Sequence, residues 1–422
     1  MKEERLTISR RRFLQAAGAG AGAAAMGPVL LADRAFASTS LSLRVGVMAP
    51  SGGEYTSAGA NLLEGIRLRL AQVHKQVGSS VTAVEVPLGF GGADGAAEQL
   101  LSGGVDVVIA GITAPVAGQV ASTFERQRVP LIVANLGAHA VRQSARSPYV
   151  LHHGLHYWQS SFSFGSWAAS HLGSRAFVAA PLADTGYDTV YAFRRGLESA
   201  GGQVVGTFVT ETSDDDSTLR SLFAAASAAS PDFVYALFSG SRAARFVRGY
   251  ASSALGGRVP LTGGGLMVDD YLLSQIGSAA FGVRNALPWV RTASDAAAVA
   301  FRKAFRRRAG REPDAFALIG YEAAMLAVTG AQAARQQGKP SKELISALAG
   351  ADVAAPRGTL TVDGGSNTVR SGVQIRTVRS VNGSLANVSL ERVAALAAFP
   401  GELSSLDTAM SSGYLNEYLH AQ

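Results

Sequence analysis

Leu43-Arg44-Val45-Gly46-Val47-Met48-Ala49-Pro50-Ser51-Gly52-Gly53, with the run Asn61–Val73 that follows, decides the fold of this chain. Leu43–Met48 is almost continuously apolar, as a strand buried on both faces must be. Pro50, Gly52 and Gly53 then break the pattern. In Asn61–Val73 the residues Leu62, Leu63, Ile66, Leu70 and Val73 fall on one helical face. A doubly buried strand feeding an amphipathic helix is the first half of a βαβ unit, which builds a parallel sheet between layers of helices.

The unit recurs. Strands are expected at Ala83–Leu88, Val105–Ala110 and Val129–Ala134, with helices around Ala96–Leu101 and over Gly118–Gln127. A second series follows, with strands at Arg175–Ala180, Gln203–Val209, Phe233–Phe238 and Arg258–Thr262. Its helices span Asp188–Ala200, Ser217–Ser227 and Arg242–Ala251. Asp214–Asp216 and Ser217 are good capping residues beside a positive helix end. Two copies of the pattern predict an α/β protein of two doubly wound, Rossmann-like lobes. The copies share architecture, not sequence. Past Pro288 come two helices, Ala296–Arg308 and Phe316–Ala334, then strands at Gly358–Val362 and Val373–Val378. Ala394–Gln422 reads as a loop with one short helix.

Ahead of the first strand lies Ser9-Arg10-Arg11-Arg12-Phe13-Leu14, which reads as a twin-arginine export signal. An apolar Gly/Ala-rich stretch, Ala16–Leu31, precedes Ala35-Phe36-Ala37, the small-x-small pattern of a signal peptidase site. Four glycines and Pro28 interrupt that stretch, whereas a retained anchor needs about 20 unbroken apolar residues. Cleavage after Ala37 and a periplasmic location are therefore expected.

The chain has 422 residues, no cysteine, 47% hydrophobic and 16% charged residues, so a buried core, not disulfides, must hold it. Residues 1–37 carry six basic and three acidic side chains, so their removal lowers the net charge from +7 to +4. That mild basicity gives no case for nucleic acid. The basic cluster Arg302, Lys303, Arg306, Arg307 and Arg308 reads as a solvated helix face. Gly18, Gly20 and Gly22 mimic a dinucleotide loop, but no strand precedes them. A P-loop, a G-x-S-x-G elbow and an H-E-x-x-H motif are all missing, which disfavours the common nucleotide-dependent and hydrolytic enzymes.

Five of the seven histidines lie between His139 and His171, with His152, His153 and His156 close together. No acidic residue stands near them before Asp184, so a polar segment between the lobes is expected and no metal or cofactor. In doubly wound sheets ligands bind beyond the carboxyl ends of the strands. Here those ends are Ser51–Tyr55, Gly111–Ala114, Asn135–Ala138, Asp184–Tyr187, Phe238–Ser241 and Gly263–Met267. They are rich in Gly, Ser, Thr and Asn and lead into helix N-termini, where exposed N–H groups favour an anion.

These loops also carry a resemblance. Val45-Gly-Val-Met-Ala-Pro-Ser-Gly-Gly-Glu-Tyr55, Val107-Val-Ile-Ala-Gly111, Val129-Pro-Leu-Ile, Gly154-Leu-His-Tyr-Trp-Gln159, Asp184-Thr-Gly-Tyr187, Pro231-Asp-Phe-Val-Tyr235 and Gly320-Tyr321-Glu-Ala are similar, in order and spacing, to the leucine/isoleucine/valine-binding protein family. These are the type I periplasmic solute receptors of ABC importers. The likeness covers nearly all of residues 42–380. It implies two lobes joined by a three-stranded hinge, with the chain crossing near Gly154, Pro288 and Pro356. Lobe 1 would comprise 42–154 and 289–355, lobe 2 155–288 and 356–390, and 391–422 a tail. It further implies capture of a small organic solute between lobes that close on it, without catalysis, by a monomer that hands it to membrane subunits.

The resemblance places Tyr55, Thr113 and Ala114, Asn135 to Ala138, and Tyr187 in the pocket. Ser51, Gly137, Trp158, Ser239 and Gly265 join them as expected contacts at the loop ends. The sequence departs from amino-acid receptors at Ala114, where those tend to have serine, and at Gly263–Gly265, where they place an acid against the ligand's ammonium. A buried amine would lack its counter-charge. The expected solute is thus a carboxylate without that amine, aromatic if Tyr55, Trp158 and Tyr187 face it. Two other readings stay open: an exported enzyme carrying a cofactor loaded before export, and a sensory receptor presenting its ligand to a membrane partner. The export reading predicts that Arg10→Lys with Arg11→Lys leaves the precursor in the cytoplasm, measured by cell fractionation and immunoblotting.

Overall fold

The computed structural model describes residues 29–30, 41–51, 57–87, 92–112, 114–135, 147–181, 187–210 and 215–396. In chain order the helices are α1 (Ala58–Val73), α2 (Ala93–Ser102), α3 (Ala114–Gln127), α4 (Tyr157–His171), α5 (Tyr187–Ser199), α6 (Asp216–Ala229), α7 (Gly240–Ser252), α8 (Leu273–Ile276), α9 (Ala296–Ala309), α10 (Ala315–Gln336) and α11 (Leu344–Leu348). They cover two mixed sheets. The first contains β1 (Val29–Leu30), β2 (Leu41–Ser51), β3 (Val77–Pro87), β4 (Val107–Ala110), β5 (Leu131–Asn135) and β6 (Val150–Gly154). The second contains β7 (Arg175–Pro181), β8 (Gln203–Thr210), β9 (Phe233–Ala236), β10 (Leu261–Gly264) and β11 (Arg284–Leu287). Strands β12 (Asp352–Ala355), β13 (Gly358–Asp363) and β14 (Thr368–Arg370) complete the first sheet; β15 (Val373–Val381) and β16 (Ser384–Val393) complete the second. The orders are β1-β12-β13-β14-β6-β5-β4-β2-β3 and β16-β15-β11-β10-β9-β7-β8.

Strand alternation explains why each sheet needs helices on both faces. Val45, Val47, Val107, Ile109, Ile132 and Ala134 enter one core cluster of the first sheet. Met48, Val108, Ala110, Leu131 and Val133 enter the cluster on its other face. The second sheet divides likewise, with Phe177, Ala179 and Val234 on one side and Ala176, Val178 and Tyr235 on the other. Helix α10 is long and apolar enough to cross a membrane by composition alone, yet 89% of that window is buried in the first core. It meets α1 backbone to backbone. A Cβ on Gly65 would sit 2.1 Å from the Ala317 carbonyl oxygen, and one on Gly320 would sit 2.2 Å from that of Leu62.

Among the described residues the chain passes between the sheets three times: from β6 into α4, from β11 toward α9, and from β14 to β15 through Ser371-Gly372. The third passage corrects the expectation drawn at Pro356. Pro356-Arg357 is the turn of a hairpin, with Ala355 opposite Gly358, so β13 returns antiparallel to β12 within the first sheet. Proline presets one φ of that turn and Gly358 takes φ +110°, a value that suits glycine. Strand β14 then lies beside β6, so residues 358–370 belong with the first sheet and not with lobe 2. Residues 391–393, assigned to the tail, belong to β16. The segment read as polar linker is strand β6 followed by helix α4, entered through His156 at φ 44°. The export signal lies outside the described residues apart from Val29–Leu30, as does 397–422.

Close glycine contacts make a stability prediction. Gly65→Ala and Gly320→Ala should each cost roughly 1–3 kcal/mol by overpacking. Gly118→Ala in α3, where an added Cβ meets nothing within 4 Å, should stabilise by about 0.5–1 kcal/mol. Urea unfolding followed by circular dichroism measures all three.

Candidate functional site

Among the described residues, the expected contacts stand at or just beyond the carboxyl ends of the parallel strands. Ser51 ends β2, Ala114 opens α3 after β4, and Asn135 ends β5. In the second lobe Tyr187 opens α5 after β7, Ser239 precedes α7, and Gly265 follows β10. Trp158 stands in the first turn of α4, directly after the first passage. Ser51, Trp158 and Ser239 are half-buried and Gly265 is buried. Tyr55, Thr113 and Gly137 lie outside the described residues. Tyr157 and Leu266, both on second-lobe elements, pack against a core cluster that joins the first lobe's interior to Leu155, Leu287 and Trp289 at the first and second passages. The start of α4 and the turn after β10 therefore lie where the lobes meet.

The glycines at the end of β10 and just past it are imposed by packing. A Cβ on Gly263 would approach the Ala236 carbonyl oxygen to 2.3 Å, and one on Gly265 would lie 2.1 Å from Leu287 Cγ. Neither position has room for an acidic side chain. Behind the turn lies Arg376, fully buried on β15. Its Nη2 donates to the Gly265 carbonyl (3.0 Å), Nη1 to the Trp289 carbonyl (3.0 Å), and Nε to Asn285 Oδ1 (2.6 Å). Asp269 Oδ1 is 3.8 Å from Nη1. Asn285 in turn donates to Asn387 Oδ1 at 2.8 Å, and Asn387 Nδ2 donates to the Val268 carbonyl at 2.8 Å.

A second buried guanidinium serves the first lobe. Arg357 Nε lies 3.0 Å from Glu322 Oε2, both side chains being fully buried, and Arg357 Nη1 donates to the Gly154 carbonyl at 2.9 Å. His153 Nε2 lies 3.4 Å from the same carboxylate oxygen. The histidine segment thus does have an acidic neighbour, supplied from 169 positions away in sequence and so invisible to local spacing. Glu322 in the middle of an otherwise apolar helix was the available signal. Arg376 had a similar one, as a charge at an inward position of a strand. Among the described residues no three His, Cys, Asp or Glu side chains are grouped to hold a metal ion. Arg302 departs from the solvated face expected of it: half-buried, it donates to the Arg291 and Ala293 carbonyls.

A family model described as periplasmic binding protein matches residues 42–383. Among solved structures, the solute-binding protein of an ABC transporter from R. palustris, in complex with benzoate, is 26% identical. That match covers 85% of this chain and 98% of that one, with a TM-score of 0.72. A solute-binding protein from Rhodopseudomonas palustris BisB5, in complex with 3,4-dihydroxybenzoic acid, is 25% identical, with coverages of 86% and 99% and a TM-score of 0.74. An ABC transporter substrate-binding protein from Sphaerobacter thermophilus, 24% identical, covers 84% of this chain and 98% of its own at a TM-score of 0.75. No curated protein matches significantly.

Burial pushes Glu322 up to about 7 against the opposing pull of Arg357. Burial does the same to Asp269, also to about 7, with Asp270 and Asp314 adding to the rise and Arg376 resisting it. Each carboxyl therefore holds its proton more tightly folded than unfolded. Their stabilising contribution is complete below the ordinary carboxylate range and is lost as pH climbs through about 7. The thermal midpoint should accordingly fall between pH 5 and pH 8, and Glu322→Gln should remove part of that fall, as scanning calorimetry would register.

Proposed function

This chain belongs to the periplasmic binding protein family, and from that premise we propose that the solute it captures for an ABC importer is an aromatic carboxylate lacking an α-amine. The observation that carries this reading is the turn after β10. At Gly263 and Gly265 it has no space for the acid that an ammonium would need, and it has a buried arginine behind it. A desolvated amine there would face a guanidinium only partly offset by Asp269, and no acid of the turn itself at Gly263 or Gly265. Two related receptors, of 26% and 25% identity, hold benzoate and 3,4-dihydroxybenzoic acid, which supports the same class.

In this reading Ser51, Tyr55, Thr113, Ala114, Asn135 and Gly137 contact the solute from the first lobe, and Trp158, Tyr187, Ser239 and Gly265 from the second. Tyr55, Trp158 and Tyr187 would flank the ring, where aromatic contact adds to the gain from burial. The three passages act as the hinge, and the solute closes the lobes by binding the closed state more tightly. The protein works by capture and release, with no catalytic step and no cofactor. It leaves the cytoplasm folded by the twin-arginine route, loses residues 1–37 and acts as a monomer in the periplasm.

A thermal-shift panel tests the reading. Benzoate-type acids at about 100 times their dissociation constant should add ≈ 2.7 kcal/mol, while leucine and valine should add nothing. Tyr55→Ala and Tyr187→Ala should each weaken the best acid by roughly 1–3 kcal/mol. Small-angle scattering should show the wild type contracting on saturation; stabilisation by leucine alone, or no contraction, would refute it.

A further inference from the structure

Gly264–Met267 forms a tight turn closed by the Met267 N–H donating to the Gly264 carbonyl at 3.0 Å. Its central peptide, between Gly265 and Leu266, takes no part in that bond. The carbonyl of this peptide is taken by Arg376 Nη2. In a trans peptide the C=O and N–H point in opposite directions, so the Leu266 N–H is turned away from Arg376. Leu266 itself packs against the core cluster that joins the first lobe's interior to Leu287 and Trp289 at the second passage, which puts this N–H beside that passage. The guanidinium cannot swing aside, because Asn285 and the Trp289 carbonyl hold its other nitrogens.

We propose that Arg376 is the residue by which the second lobe selects an anion, acting through the Gly265–Leu266 peptide. It is a positioning residue: it polarises that peptide, fixes the Leu266 N–H as a donor, and lends its own charge to a water-poor region where fields carry far. Asp269, 3.8 Å away, partly offsets that charge and so sets its strength. The same arrangement penalises an ammonium group. This inference rests on the carboxylate reading and adds to it the group responsible.

The test compares benzoate with its neutral isostere benzamide by titration calorimetry, for the wild type, Arg376→Met, Arg376→Lys and Asp269→Asn. The wild type should prefer benzoate at least tenfold. Arg376→Met should erase that preference by weakening benzoate alone, and Arg376→Lys should keep part of it. Asp269→Asn should tighten benzoate severalfold, since it exposes the arginine's charge. A purely structural role would weaken both compounds in all three variants, and that result would overturn the proposal, as would weaker benzoate binding by Asp269→Asn. Should Arg376→Met not fold, Arg376→Lys and Asp269→Asn still decide, because the proposal requires them to move in opposite directions. If the wild type binds neither benzoate, 4-hydroxybenzoate nor 3,4-dihydroxybenzoate, the aromatic-acid reading itself falls. Binding of these acids with unchanged selectivity in the variants removes only the role of Arg376.

Discussion

One buried guanidinium stands on each side of Ser371-Gly372, and between them they tie the three passages together. Arg357 reaches the Gly154 carbonyl at the first passage, and Arg376 reaches the Trp289 carbonyl at the second. Each has a buried carboxylate beside it, Glu322 and Asp269 respectively. The third passage is the chain that joins them. A link also runs across the lobes: Arg392 of β16 donates to the Arg357 carbonyl at 3.1 Å, passing over Gly358 where a Cβ would lie 2.1 Å from its Nη2.

Buried ion pairs contribute little net stability, because desolvation offsets most of the Coulomb attraction. Leaving one partner alone is far more costly. The two pairs therefore act less as glue than as constraints on geometry: backbone carbonyls at two passages can sit only where the guanidinium forks allow. Rigid roots suit a hinge whose motion must be confined to a few residues. The first lobe itself has little give, since α1 and α10 meet through glycines with no side chain between them.

Most of the sheet architecture was legible because doubly buried strands and amphipathic helices carry different periods. Leu43–Met48, Val105–Ala110 and Phe233–Phe238 each mark a strand that the structure contains, with ends shifted by a few residues. The end of lobe 1 was misread because Pro356-Arg357-Gly358 signals a turn without saying whether the chain then returns or crosses; the pairing of Ala355 with Gly358 decides that, and it is a tertiary fact. Helix α4 was hidden because its first turns carry Gln159, Ser160, Ser161 and Ser163, polar residues that are nonetheless buried. That Ser51, Asn135 and Gly265 stand at strand ends was readable from strand order alone. The arginines behind them were not, since Arg376 and Gly265 stand 111 positions apart.

The position of the closing strands along the chain has a consequence for how the protein is made. The first sheet needs β12 to β14 (residues 352–370), and the second needs β15 and β16 (373–393) against β11. On a ribosome, therefore, β11 waits with an open edge until almost the whole chain has emerged, and neither lobe can be finished before the other is nearly complete. Open edges of this kind invite pairing with other chains. Folding should thus end in one late, concerted step that follows synthesis, and a truncation as short as the last two strands should yield an aggregating fragment and not a folded single lobe.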